Sequence, residues 1–517
     1  MMMNRKDYNP SFAVVYLDSQ SIQFLNQNFK VELWEEFVNR LTKVFPGIQI
    51  HINSNTLLSE KIHSSSLKDK LKLHDDVSKE HEFLLKLGQL LPESQFKDPD
   101  WDEVCFLYFT GISPLLDSHL TEKAWMRHKN FFSQYSYSEN LPQGLTPTII
   151  TREFLTSLPD TLATDVHSFF LKNINQYDVD IFFQAPDLRQ LRLDFRLASF
   201  RSLTLIQGLL SLGEVLPYEN LLPKLKEKPE LFRSAPSYLE WEIYKGCELK
   251  CTFCPREFID TTNDGSFVSL EDVKNTISKL NSELSSPLTI SLSGNGEPLL
   301  HPEFNSVITE ILKLELLTEL IIETALYTNT ESLLSLVASL NPSEKEKLCV
   351  IVNVTTLKPE VYKSLYGKSE LENVLKTIDL LAEILPSKSL HVQMIKMKEV
   401  EDEIDPYFTF FEKKGINIIL QKYNTFATQL PERRVSDLTP IHRDYCWHLV
   451  RDLSVSVNGN VSICKQNQTE IIGNLYSESL RDIWRKGLDF FKYSFSGEHG
   501  KIPAPCLNCD EWYTFNA

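Results

Sequence analysis

Residues Gly246–Arg256, GCELKCTFCPR, place Cys247, Cys251 and Cys254, three of the chain's nine cysteines, within eight residues. The stretch follows YLEWEIY, a run of the aromatic and branched residues that favour a strand. Thiolates spaced C-x3-C-x2-C on one short loop can converge on the corners of an iron–sulfur cube, which wants four ligands. In the bacterial ferredoxin spacing a fourth cysteine stands four residues beyond the third, and that position is Phe258. One iron would then lack a local protein ligand. Two other readings stay open: a zinc site, which normally closes with four protein ligands, and a chance cluster in a cysteine-poor chain.

Outward from this loop the pattern alternates. Strand-like YLEWEIY, LTISLSG, ELIIETA, LCVIVNV, LHVQMIKMK and INIILQKY are separated by amphipathic runs such as SLEDVKNTISKLNSEL, EFNSVITEILKL and ELENVLKTIDLLAEIL. Repeated βα units predict a parallel sheet with helices outside it. Six units fall short of the eight of a closed TIM barrel, and a partial (β/α)6 barrel over 237–426 fits. Upstream, LPYENLLPKLKEKPELFRSAPSY carries Pro217, Pro223, Pro229 and Pro236 and reads as a linker over 213–236. It separates an N-terminal α/β domain, 1–212, from the cysteine-bearing remainder; 427–517 forms a small cysteine-rich tail.

The three-cysteine loop resembles that of the radical S-adenosylmethionine (SAM) superfamily, including the aromatic Phe253 just before the third cysteine. The resemblance implies that SAM's methionine amino and carboxylate groups chelate the open iron of a [4Fe–4S] cluster. Reduction then cleaves SAM, and a 5′-deoxyadenosyl radical abstracts hydrogen from the substrate. Gly294, Asn295, Gly296, Glu297 and Pro298, after the second strand, resemble the family's glycine-glutamate-proline motif, which implies contact with the SAM amino end. Thr328, Asn329 and Asn353 are candidates for the SAM ribose or carboxylate, and are equally readable as turn or strand polarity. The family often has glycine after the Thr-Asn pair; this chain has Thr330. The chemistry implies an outside reductant, a flavodoxin- or ferredoxin-like protein.

Cys446, Cys464, Cys506 and Cys509 form a second group, C-x12-G-x4-C followed by CLNC. Gly459 in NGN suits a tight hairpin, and four thiolates saturate one zinc or one cubane cluster. The pattern C…NGNVSIC…GNLYSESLRDIW…CLNC resembles a SPASM-type extension. That resemblance implies an auxiliary [4Fe–4S] cluster. Full versions carry seven cysteines and two clusters, so one cluster is expected, with a relay or structural role.

The N-terminal region resembles cytidylyltransferase-type enzymes through VCFLYFTGISPLLDSHLTEKAWMRHK and LRQLRLDFRLASFRSLTLI. It departs from them in lacking a basic glycine-containing loop in FAVVYLDSQSIQFLNQ, and in having Ile112 where an acidic metal ligand is needed. Asp117 and Asp194 remain. A nucleotidyltransferase-like domain without transferase activity is expected. The whole layout resembles the spirochaete spiro-SPASM proteins.

Composition bounds the rest. The 517 residues are 42% hydrophobic and 24% charged with net charge −17, which disfavours a general grip on nucleic acid. The start has no signal-peptide pattern and no run is long enough to span a bilayer, so a cytoplasmic protein without membrane contact is expected. Cys105 and Cys349, in apolar runs, read as plain core. The substrate classes that fit are a peptide or protein side chain, or a small molecule such as a sugar, nucleotide or cofactor precursor. A non-catalytic iron–sulfur electron-transfer or scaffold protein is the other alternative. Glu240, Glu242, Lys245, Lys396, Lys422 and Tyr423 stand at strand positions that can face the site.

Overall fold

The computed structural model describes residues 8–75, 79–94, 103–213, 216–259, 263–437, 443 and 445–512. The chain forms two compact units, 1–227 and 228–517.

The first unit is built on seven strands: β1 (Ala13–Val15), β2 (Ile50–Ser54), β3 (Leu71–Asp75), β4 (Cys105–Phe109), β5 (Tyr135–Ser138), β6 (Thr148–Thr151) and β7 (Val179–Phe182). Their order is β3-β2-β1-β4-β6-β5-β7. Only β6 runs against its neighbours among these pairs. Successive side chains of a strand point to opposite faces, and the core follows that rule. Ala13 and Val15 pack with Trp34, Phe37 and Leu41, whereas Phe12 and Val14 pack with Phe83, Phe106 and Phe170. The sheet is therefore covered on both faces. Cys105 is 1% exposed, the plain core residue expected.

The second unit carries β8 (Tyr238–Trp241), β9 (Leu288–Leu292), β10 (Leu317–Thr324), β11 (Leu348–Asn353), β12 (Leu390–Lys396) and β13 (Asn417–Lys422). All six coincide with the strand-like runs of the sequence, and they pair in parallel in chain order. The helix Leu270–Glu283 between β8 and β9 shows why the periodicity was legible. Ser269 caps it by accepting from Asp272 N at 3.1 Å, and Val273, Thr276, Ile277 and Leu280 form its buried stripe.

Two features differ from the expectation. The tail strands β14 (Asp452–Val455), β15 (Asn460–Cys464) and β16 (Asn467–Asn474) do not stand apart. β14 pairs in parallel with β8 and the hairpin extends the sheet to nine strands. The proline-spaced stretch 213–236 also holds helices, Leu221–Glu227 and Pro229–Phe232. Pro229 opens the latter, where a missing N–H removes no hydrogen bond. Just beyond it Arg233, 5% exposed, donates from Nε to Leu449 O at 2.7 Å and from Nη1 to Trp484 O at 2.6 Å. Its guanidinium lies 3.4 Å from the Trp484 ring centre, and burial pushes its pKa down to about 9.

Candidate functional site

Cys247, Cys251 and Cys254 lie on the loop after β8, at the carboxyl end of the parallel strands, where βα sheets and barrels place their sites. Several contacts fix this loop. Lys250 N and Thr252 N donate to Tyr366 O and Leu365 O at 3.2 and 2.9 Å, and the buried Arg256 donates to Leu249 O at 2.7 Å. Tyr327 hydroxyl accepts from Glu248 N at 2.9 Å and stands 3.5 Å from Cys247 Sγ. Burial and the neighbouring Cys254 and Cys247 sulfurs push the Cys251 thiol well up. The three cysteines line one cavity, and uptake of a cluster must release their thiol protons.

They share a cavity of about 220 Å³ with Gly294, Asn295, Gly296 and Glu297. The close approach needs glycine. A Cβ on Gly296 would lie 1.8 Å from Tyr244 O, and Glu297 N donates to Gly246 O at 2.8 Å. Glu297 is 3% exposed and its carboxylate accepts from Thr324 Oγ1 at 2.6 Å, Ala325 N at 3.0 Å and Leu299 N at 3.2 Å. Its side chain ties this loop to β10, and Pro298 starts the short turn Pro298–Leu300. Asn295 N donates to Glu242 Oε1 at 3.1 Å, and its side chain donates to Gln468 Oε1 at 2.8 Å.

Phe253 and Asn353 also line the cavity, Phe253 packing edge-on against Tyr366. Thr328 and Asn329 are not among the lining residues, and Asn329 Nδ2 donates to Leu299 O at 2.7 Å, a turn contact. The sequence reading missed a polar ladder across the floor. Gln393 Nε2 donates to Asn353 Oδ1 at 2.6 Å and to Glu323 Oε1 at 3.2 Å. Glu323 and Asn353, at the carboxyl ends of β10 and β11, were the available signal; Gln393 joins them through its parallel register with Asn353. Of the strand-position candidates, Glu240, Lys422 and Tyr423 line this cavity, Glu242 and Lys245 line an adjoining one of about 360 Å³, and Lys396 lines neither.

Of the other four cysteines, Cys446, Cys506 and Cys509 pack in one small buried cluster with Ile502 and Trp512. After burial, the largest effect on the Cys464 thiol is the crowding of Cys446, Cys506 and Cys509, which raises it. Burial raises Cys506 to about 11 and Cys509 to about 12. Beside them, Gln466 is 4% exposed with both amide atoms unpartnered, and the Asn467 side chain faces Cys506. Buried amides cost free energy unless they find partners, and cluster sulfurs accept such hydrogen bonds. The site fits an iron–sulfur cluster in that respect. Among the described residues no three His, Cys, Asp or Glu side chains are gathered to hold a single ion; a cubane takes its thiolates at separate corners.

In the first unit, β1 lies between β2 and β4, a switch point where open α/β sheets bind ligands beyond the strand ends. Arg196 stands just beyond the carboxyl end of β4. It donates from Nε and Nη2 to Asp194 at 2.9 and 2.8 Å and from Nη1 to Thr110 Oγ1 at 3.0 Å, with its stem against Gly111 and Gly144. Asp117 caps the helix Ser118–Phe131.

Residues 241–410 match the radical SAM superfamily model, and residues 446–510 match the SPASM model, an iron–sulfur cluster-binding domain. The chain thus carries a radical SAM domain followed by a SPASM domain, and is a radical SAM enzyme. Its cofactors are SAM, a SAM-binding [4Fe–4S] cluster and an auxiliary iron–sulfur cluster. An uncharacterized protein of Treponema pallidum (strain Nichols) is 28% identical over 353 residues, which span 66% of this chain and 96% of that protein. Among solved structures, BtrN in complex with AdoMet and 2-DOIA is 20% identical over 54% of this chain and 98% of that one, TM-score 0.37. SuiB of Streptococcus suis bound to precursor peptide SuiA is 15% identical over 67% and 82%, TM-score 0.43. No helix among the described residues is long and apolar enough to cross a membrane.

Proposed function

We propose that this enzyme abstracts a hydrogen atom from a peptide or protein side chain presented to the cysteine-lined cavity. When bound, the cluster and SAM supply an electron and a cleavable sulfonium bond, yielding a 5′-deoxyadenosyl radical. Cys247, Cys251 and Cys254 hold the cluster, and the loop from Gly294 to Pro298 holds the SAM amino end, with Phe253 and Asn353 in the same wall. Thr328 and Asn329 act one step back, by shaping the turn after β10. The observation that carries the reading is the sharing of one cavity by the three thiols and the Gly294–Glu297 loop. For the substrate, support comes from the adjoining cavity, which shares Glu240, Ser293, Gly294, Asn295 and Gln468 with the first and extends along the β14–β15 hairpin. Two adjoining cavities suit an extended chain.

The amide and carboxylate ladder Glu323–Asn353–Gln393 favours a second reading, a polar small molecule such as a sugar, nucleotide or cofactor precursor. The electron comes from a reduced flavodoxin- or ferredoxin-like donor in the cytoplasm. The first unit is a nucleotidyltransferase-like domain without transferase activity, a reading supported by Arg196, which engages Asp194 beyond the end of β4.

The test is 5′-deoxyadenosine formation by anaerobically reconstituted protein with dithionite, against a variant with Cys247, Cys251 and Cys254 replaced by alanine. Perdeuterated cell extract, divided by ultrafiltration, then identifies the hydrogen donor. Deuterium entering 5′-deoxyadenosine from the macromolecular or peptide fraction supports the first reading, and from the small-molecule fraction the second. Formation of 5′-deoxyadenosine independent of the three cysteines would overturn both. CTP turnover by the full chain would overturn the assignment of the first unit.

A further inference from the structure

The turn that joins β15 to β16 separates the two cysteine groups. It consists of Lys465 and Gln466, and the residues on either side, Cys464 and Asn467, pair across the hairpin. These two belong to the auxiliary side: Cys464 is one of the four cysteines of the SPASM match, and Asn467 is its partner in the hairpin. The residues next to them in sequence face the other way. Lys465 and Gln468 both line the cavity of Cys247, Cys251 and Cys254. Lys465 Nζ stands 4.0 Å from Glu240 Oε1, and Gln468 Oε1 accepts from Asn295 Nδ2 at 2.8 Å. Residues 464–468 thus reach both sites, with Lys465 and Gln468 at the three-cysteine cavity and Cys464 and its pair Asn467 on the auxiliary side.

Asn295 is the point of contact on the SAM side. Its backbone N–H is held by Glu242 and its side chain by Gln468, and the next residue, Gly296, is pressed on Tyr244 O. The loop is therefore gripped from the segment after β8 and from the auxiliary hairpin together.

We propose that the Asn295–Gln468 hydrogen bond couples the two cofactor sites: Gln468 is a positioning residue for the SAM-binding loop, and an intact auxiliary site tightens SAM binding through the Cys464–Gln468 turn. The inference rests on the reading of Gly294–Pro298 as the SAM loop. Filling the auxiliary site orders Cys464 and Asn467, which fixes the position of Gln468 and so of Asn295. By linkage, whatever orders the auxiliary site in this way favours SAM to the same extent.

The test is equilibrium SAM binding to the full reconstituted chain without reductant; in a separate, reduced sample the SAM-induced change in the spectrum of the three-cysteine cluster is a second readout. Gln468→Leu removes the acceptor. It is expected to weaken SAM binding about fivefold, the worth of one neutral hydrogen bond, while iron stays at about eight per chain. Gln468→Glu keeps an acceptor oxygen and is expected to retain the affinity, which a merely structural role would not require. Gln468→Asn withdraws the amide by one methylene and is expected to show the same loss, which keeps the test decisive if the leucine variant fails to take up iron. The double variant Cys506→Ala, Cys509→Ala is expected to lose SAM affinity likewise. Equal SAM binding by wild type and by the Gln468→Leu and Gln468→Asn variants overturns the inference. Failure of the wild type to bind SAM overturns the radical SAM reading instead, and equal binding by Gly296→Ala overturns the assignment of the loop.

Discussion

Gly296 lies so close to Tyr244 that a single methyl group on its Cα would sit 1.8 Å from the Tyr244 carbonyl oxygen. No Cβ fits there, and the obstacle is backbone, not a side chain that can swing away. Through this contact the loop after β9 is seated directly on the segment leading into Cys247.

Gly296→Ala must therefore push the two loops apart. The expected outcome is loss of SAM binding and of 5′-deoxyadenosine formation, with the four-cysteine cluster retained. Gly500→Ala, where a Cβ meets nothing within 4 Å, serves as the control and is expected to behave as wild type. Iron content and SAM titration of both variants check this.

Glu297 accepts three hydrogen bonds in a buried setting. Glu297→Gln turns one accepting oxygen into a donor that faces other donors. Leaving buried groups unpaired costs about 1–3 kcal/mol each, so a loss of stability of that order is expected in chemical denaturation of the second unit. Full stability in the Gln variant would contradict the assigned role of the carboxylate.

Cysteine replacement separates the two sites by iron count. Alanine at Cys247, Cys251 and Cys254, or at Cys446, Cys464, Cys506 and Cys509, is expected to lower iron from about eight to about four per chain. Cys105→Ala and Cys349→Ala, both at buried strand positions, leave the count unchanged and cost stability through the small cavity they create.

His128 is 2% exposed, its Nδ1 2.8 Å from Ser136 Oγ, and burial pushes its pKa down to about 3. The folded state keeps the ring neutral while the unfolded chain takes a proton below about pH 6.5. Stability of the first unit is thus lost as pH falls below that value, by about 2 kcal/mol at pH 5 from this group. Burial also lowers His51, to about 4, so it acts in the same direction. Denaturation at pH 7 and pH 5 is expected to show a smaller pH effect in His128→Leu/Ser136→Ala, which removes both partners together.

The sequence alone determined the local features of this protein. The six parallel strands were legible because each is a run of branched and aromatic residues bounded by amphipathic helices, and Leu270–Glu283 shows its capping serine and buried stripe in the letters themselves. The cysteine groups were legible because cofactor ligands need particular residue types at fixed spacing. Only the tertiary structure decided what depends on contacts between segments far apart in the chain. β14 carries no mark that it pairs with β8, some two hundred residues earlier, because strand pairing is set by packing and register. Glu323, Gln393, Tyr327 and Gln468 look like ordinary polar or aromatic residues in the sequence. They become parts of the site because parallel strands bring their ends to one edge, and because successive residues of a strand point to opposite faces.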